Sequence, residues 1–150
     1  MGWHQVFYGE YPSTVDGKGR VIIPARLRDA VQEAEEGAGF LMRLGEDGCV
    51  TLYTPRRWRE VEGEINRAPQ GARRARRRRR FVFSQTRRGE CDRQGRLRVP
   101  PELLEGASIA REVVVVGVSD QIEIWDRAQW EAFKAEMVAE RESDAEAYPL

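Results

Sequence analysis

Asp16-Gly17-Lys18-Gly19-Arg20-Val21-Ile22-Ile23-Pro24 returns 76 residues later as Asp92-Arg93-Gln94-Gly95-Arg96-Leu97-Arg98-Val99-Pro100. In each copy Asp and Gly frame a tight turn, Arg follows it, a strand runs on, and Pro opens the next element. The echo continues at a spacing of 72, from Gly45 to Gly117, Tyr53 to Trp125 and Trp58 to Trp130. Two copies of one supersecondary unit, packed about a pseudo-two-fold axis, follow from such a duplication. Each copy presents an arginine at the same place.

Around these turns the pattern predicts strands at Val6–Tyr8 and Arg20–Ile23, then a short helix opened by Pro24. Phe40–Leu44 and Val50–Tyr53 read as a hairpin around Gly45-Glu46-Asp47-Gly48. Thr54 caps a helix from Pro55 to about Ile65, with Trp58, Val61 and Ile65 on its buried face. Ala68-Pro69-Gln70-Gly71 breaks the chain before a basic helix, Ala72–Arg80, and Phe81–Ser84 reads as the strand that opens the second copy. There the strand Arg96–Val99, a helical turn at Pro100–Leu104, and a hairpin of Glu112–Gly117 with Gln121–Trp125 repeat the order. Asp126 caps a last helix carrying Trp130, Phe133 and Met137, and the acidic tail Arg141–Leu150 reads as frayed. The domain division is residues 5–56 for the first repeat with its helix to about 67, 68–80 for the basic connecting helix, and 81–128 for the second repeat with its helix to about 142.

A chain of 150 residues, 41% hydrophobic and 33% charged, suits one core shared by two small halves. Its formal net charge of zero hides a strong polarity. Residues 73–98 hold twelve basic and two acidic groups, whereas residues 99–150 hold four and twelve. Such blocks point to a polyanion site or to charge-complementary subunit contacts. No apolar run reaches the ~20 residues a membrane span needs, and the first residues lack the pattern of a signal peptide. Cys49 and Cys91 form no C-x-x-C and read as reduced thiols. His4 is the only histidine and has no zinc-ligand partners near it. Glu35-Glu36 reads as solvated charge, and no nucleophile motif or phosphate loop appears. The expectation is a protein that is no enzyme, with no cofactor, no metal, no membrane partner and no small-molecule substrate.

The duplicated D-x-x-G-R turn, each with Pro four residues after the Arg and a later matching Trp, resembles the MraZ family over roughly Val6 to Met137. That resemblance implies an α+β fold in which two AbrB-like half-domains form one pseudo-two-fold swapped-hairpin β-barrel with peripheral helices. It also implies a cytoplasmic, nucleoid-associated transcription regulator. Such a regulator assembles into a ring of identical subunits and binds G-rich tandem repeats in double-stranded DNA upstream of a cell-division and cell-wall gene cluster. The chain departs from the family pattern in Arg93-Gln94, in Pro101 after Pro100, and in the density of the run Arg73–Arg80.

Arg20 and Arg96 are the first DNA-binding candidates, since a guanidinium can grip guanine O6 and N7 with two hydrogen bonds. The competing reading folds each back onto its own turn aspartate, Asp16 or Asp92. Lys18 suits a phosphate, being a point charge without fork geometry; Arg87 and Arg88, near the second turn, are phosphate candidates, and Arg93 is a further DNA-binding candidate. The arginine run has three readings: docking on acidic surfaces such as Glu131, Glu136 and Glu140 of the same or a neighbouring subunit, phosphate contact, or a solvated face. Trp58 and Trp130 read as core. The rival functions are a structural ring that binds no DNA and an antitoxin-type interaction module, against which the fused duplication speaks.

Overall fold

The computed structural model describes residues 6–34, 39–67, 69 and 71–143. Val21 and Leu97, equivalent residues of the two turn motifs, are the middle pair of a short antiparallel ribbon made by β2 (Arg20–Ile22) and β6 (Arg96–Arg98). Beside them Ile23 donates its N–H to the Gly95 carbonyl at 2.9 Å, and Val99 donates to Gly19 at the same distance. A second pairing of equivalents lies at the centre of a six-stranded sheet. There β4 (Val50–Tyr53) meets β8 (Gln121–Asp126) with Val50 opposite Ile124, Thr51 opposite Glu123 and Leu52 opposite Ile122. Exchanging the copies maps each of these ladders onto itself, so the pseudo-two-fold passes through both.

The remaining strands follow the same symmetry. β4 forms a hairpin with β3 (Phe40–Leu44), and β8 with β7 (Glu112–Val118). The outer strands cross over: β1 (Glu10–Thr14) pairs with β7 of the second copy, and β5 (Arg87–Gly89) pairs with β3 of the first. The antiparallel sheet order is therefore β1-β7-β8-β4-β3-β5. Among the described residues no strand pairing closes the sheet and ribbon into a barrel, so what is established is an α+β architecture of sheet, ribbon and helices.

Among the described residues five helices complete it: α1 (Ala25–Ala34), α2 (Pro55–Arg67), α3 (Ala72–Gln85), α4 (Pro101–Gly106) and α5 (Arg127–Ser143). The main core gathers Val21, Leu97, Ile23, Val99, Met42, Leu52, Ile122 and Ile124 with Leu27 of α1 and Leu103 of α4. On the opposite face of the sheet Cys49, Val114, Val116 and Trp125 form a smaller cluster with Trp130 of α5 packed against it. The valine run of β7 is thus buried on both faces. Both helix-bearing tryptophans pack as read: Tyr53–Trp58 and Trp125–Trp130, equivalent pairs, each have ring centroids 5.5 Å apart. The caps hold as well, with Arg57 N–H donating to Thr54 Oγ1 at 3.1 Å and Gln129 N–H to Asp126 Oδ2 at 3.2 Å.

Two predicted strands are corrected. Val6–Tyr8 forms no strand; Phe7 makes only an isolated bridge to Ser119, and Gly9 at φ +93° turns the chain before β1 begins at Glu10. The polar sequence Glu10-Tyr11-Pro12-Ser13-Thr14 pairs because it lies at the sheet edge, where proline is tolerated. Phe81–Ser84 is helical, not extended, because α3 continues to Gln85 and brings the Phe83 ring edge-on to Trp58 with centroids 5.9 Å apart. Both cysteines are free thiols, and burial pushes Cys49 up to about 12. Readings at His4, Glu35-Glu36 and most of the acidic tail lie outside the described residues.

Candidate nucleic-acid interface

Each turn is built by its aspartate. Asp16 Oδ1 accepts the backbone N–H groups of Lys18 and Arg20, both at 2.9 Å, and Oδ2 accepts Arg20 Nε at 2.7 Å. Asp92 repeats this with Gln94 at 2.9 Å, Arg96 N–H at 3.0 Å and Arg96 Nε at 2.8 Å. A short side chain bonded to the backbone two residues ahead stabilises such a turn locally. Gly19 (φ +76°) and Gly95 (φ +81°) take the left-handed position that lets a three-residue loop join the strands. The backbone N–H of Arg20, then its guanidinium, hold the Asp16 carboxyl down to about 2, and Arg96 holds Asp92 low in the same way.

The folded-back pairing of arginine on aspartate is therefore real in both copies. It engages Nε, and no hydrogen bond from the terminal Nη groups of Arg20 or Arg96 is found among the described residues. The aspartate fixes the direction of the guanidinium while its two-pronged end stays available. A positioned fork loses less freedom on binding than a loose side chain would.

The ribbon arranges these arginines. Because strands alternate faces, Val21 and Leu97 point inward and are fully buried. The outer face then carries Arg20 opposite Arg98 and Ile22 opposite Arg96. Ile22 is 52% exposed despite being a large apolar residue. The antiparallel pairing puts the turns at opposite ends of the ribbon: Lys18 stands beyond Arg20 at one end, Arg93 beyond Arg96 at the other. Arg98 was not among the residues singled out from sequence, although its position two after Arg96 on a strand was the available signal.

The ends differ underneath. Arg28 Nε donates to the Ile23 carbonyl at 2.8 Å, and its guanidinium lies where a side chain on Gly95 would project. At the other turn the equivalent neighbour of Gly19 is the apolar Leu104. The two turns thus rest on different neighbours, a guanidinium beside Gly95 and an apolar side chain beside Gly19.

Arg87 is engaged elsewhere. Arg87 Nη1 donates to the carbonyls of Ser84 (2.7 Å) and Thr86 (3.1 Å), and Nε faces Glu102 at 3.5 Å, so it closes the end of α3. Arg88 lies on the edge strand β5 opposite Leu41. Among the described residues the arginines of α3 form no ion pair within the chain, and Glu46 lines a groove with Arg73, Arg74, Arg77 and Arg78.

The duplicated sheet-and-ribbon unit agrees with what the chain is similar to. A family described as "MraZ protein, putative antitoxin-like" matches twice in tandem, over residues 6–81 and 82–148. The chain belongs to the MraZ family. Relatives include the transcriptional regulator MraZ of Moorella thermoacetica, 43% identical over 94% of this chain and 95% of that protein. The transcriptional regulator MraZ of Acetivibrio thermocellus is 36% identical over 94% of this chain and 95% of its own length. That of Ligilactobacillus salivarius is 39% identical over 87% and 88%. In MraZ terms, the two matched segments correspond to the two halves that exchange their outer strands.

Proposed function

We propose that this MraZ-family chain is a sequence-specific DNA-binding transcription regulator and not an enzyme. One observation carries the reading: a two-stranded ribbon with one buried face and an outer face of Arg20, Arg96 and Arg98 around exposed Ile22. The major groove of B-DNA admits a two-stranded β-ribbon. Arginine forks pair with guanine O6 and N7 there, and an apolar side chain suits the thymine methyl. On this reading Lys18 and Arg93 take phosphates at the two ends, with Arg87 and Arg88 as outlying contributors. The transcriptional regulator names of the relatives support the function.

The finer reading is that the target is a set of G-rich tandem repeats in the promoter of a cell-division and cell-wall gene cluster, engaged by a ring of identical subunits in the cytoplasm at the nucleoid. In it, the six-stranded sheet and the ribbon are the two faces of a swapped-hairpin barrel, divided near residue 81. Each subunit contributes a weak surface, and simultaneous engagement of several repeats raises avidity by ~10²–10⁴.

The second reading, an assembly or antitoxin-type module that binds no DNA, takes support from the Arg20–Asp16 and Arg96–Asp92 pairs and from the family description. Titration with G-rich tandem repeats and with a scrambled duplex, at two salt concentrations, separates the two. Preference for the repeats and an affinity that falls steeply with salt are expected. Equal, salt-indifferent binding to both duplexes would leave the second reading.

A further inference from the structure

Helix α3 carries seven arginines, Arg73, Arg74 and Arg76–Arg80, with no acidic residue and no fully buried side chain. Arginines spaced three and four apart on one helix repel one another, and among the described residues none of them forms an ion pair, although Glu46 borders a neighbouring groove with Arg73, Arg74, Arg77 and Arg78. Arg73, Arg76, Arg77 and Arg80 line a groove of about 550 Å³ together with Phe81 and Ser84. Phe81 is 69% exposed. It also borders an adjoining, more apolar groove with Leu44, Val82 and Leu103. Phosphate contact makes no use of an exposed phenyl ring beside a row of cations. A protein surface combining carboxylates with an apolar anchor does.

Helix α5 presents such a surface. None of its residues is fully buried. Two of its cations are occupied within the chain: Lys134 Nζ bonds Glu10 at 2.8 Å, and Arg127 faces Glu112 at 3.9 Å. Phe133, Glu136 and Glu140 follow at i, i+3 and i+7, so they share one face. Phe133 is 39% exposed even with its ring stacked on Trp125. This face carries carboxylates and an aromatic ring, the complement of α3 with its guanidinium groups and Phe81.

We infer that the arginine face of α3 is a docking surface for the Phe133–Glu140 face of α5 on a second copy of this chain. The surfaces are different, so the contact is heterologous: each subunit offers α3 to one neighbour and α5 to the other, which builds a ring or a filament. The inference rests on the self-assembling part of the proposed function and names the surfaces that would perform it.

The test reverses charges on each side and then mixes the products. Arg77→Glu with Arg80→Glu makes one chain, and Glu136→Arg with Glu140→Arg makes another. Circular dichroism checks that both fold, and light scattering coupled to size exclusion reads mass. Each variant alone should run at the mass of a single chain, since like charges then meet at every contact. An equimolar mixture should regain the wild-type mass, because each variant's altered face now meets its opposite. Two dissociated variants that stay dissociated when mixed would overturn the inference. Variants that both assemble like the wild type would overturn it while leaving assembly itself standing, whereas a wild-type chain that never exceeds single-chain mass would remove the assembly reading too. A further outcome against it is an intact assembly in which Arg77→Glu with Arg80→Glu flattens the salt dependence of DNA binding, which would assign α3 to phosphates.

Discussion

Arg20 and Arg98 stand opposite each other across the β2–β6 ribbon, and the next pair on the same face is Ile22 with Arg96. Arg20 and Arg96 are equivalent by the internal repeat, yet the residue facing Arg20 is an arginine and the residue facing Arg96 is an isoleucine. One end of the ribbon therefore offers two adjacent guanidinium groups and the other a guanidinium beside an apolar contact. On the proposed function, two such ends would favour different base steps.

Truncation of Arg98 should accordingly weaken specific binding as much as truncation of Arg20. A well-placed arginine–guanine contact discriminates by about 1–3 kcal/mol, so Arg98→Ala should lower affinity for the specific duplex roughly 5- to 150-fold. Affinity for a scrambled duplex should fall much less. Its side chain packs in no core cluster, so the melting temperature should stay near that of the wild type. Fluorescence anisotropy on labelled duplexes at fixed salt measures this. Unchanged specific affinity would remove Arg98 from the interface.

The aspartate–arginine turns make acid sensitivity predictable. A carboxyl held below its unfolded value adds stability above that value, ~3.9 for aspartate. The contribution disappears as pH falls through the folded value, about 2 for Asp16. Asp92 is lowered in the same direction. Thermal midpoints should thus begin to fall below about pH 4 and keep falling toward pH 2. In Asp16→Asn the uncharged amide can accept the same backbone N–H groups, so this variant should lose less of its midpoint over that interval. Parallel curves for the two proteins would show that the turn contributes nothing to the acid limb.

Much of this was legible because the signals were local. The turn chemistry of Asp16 and Asp92, the Thr54 and Asp126 caps and the hairpins at Phe40–Tyr53 and Glu112–Asp126 depend on residues close in sequence. What the sequence hid depends on partners far away. Glu10–Thr14 has no apolar alternation of its own, and the valines of β7 give it a ladder. Phe81–Phe83 looks like a strand until Trp58 offers its ring to a helix. At the ribbon, period-two reading could have put Arg98 beside Arg20 only once the register between strands 76 residues apart was known. The same limit applied to Arg87, whose carbonyl partners exist only because α3 runs on to Gln85.

Gly117 tests the packing where the two copies exchange strands. A Cβ built there would sit 2.3 Å from Tyr8 N and 2.6 Å from the Phe7 carbonyl carbon, backbone atoms that cannot swing aside. The N–H of Gly117 also donates to the Gly9 carbonyl at 2.9 Å, which holds the two segments together. Gly117→Ala should therefore push the 7–9 segment off the sheet and draw Phe7 out of the core. Overpacking of this kind costs about 1–3 kcal/mol. Gly48→Ala is the useful comparison, since its backbone φ is +80° but no atom lies within 4 Å of the added carbon. Urea unfolding of both should show Gly117→Ala as the less stable. A Gly117→Ala midpoint indistinguishable from that of the wild type would mean that the 7–9 segment contributes little to the fold.

The repeated ribbon also sets an expectation for how affinity scales with the DNA. One subunit presents three ribbon arginines and two flanking cations, few contacts for a duplex whose binding is dominated by phosphate neutralisation. A single repeat should bind weakly, and affinity should climb steeply as repeats are added at regular spacing, because later contacts are made by subunits already tethered. Inserting about 5 base pairs, half of the ~10–10.5 bp helical period, between repeats turns neighbouring sites to opposite sides of the duplex. Affinity for four repeats should then fall toward that for one, whereas about 10 added base pairs should restore much of it. Electrophoretic shifts with one to four repeats, with and without the insertions, measure both effects. Equal affinity for one repeat and four, or indifference to a half-turn insertion, would mean that each subunit binds on its own.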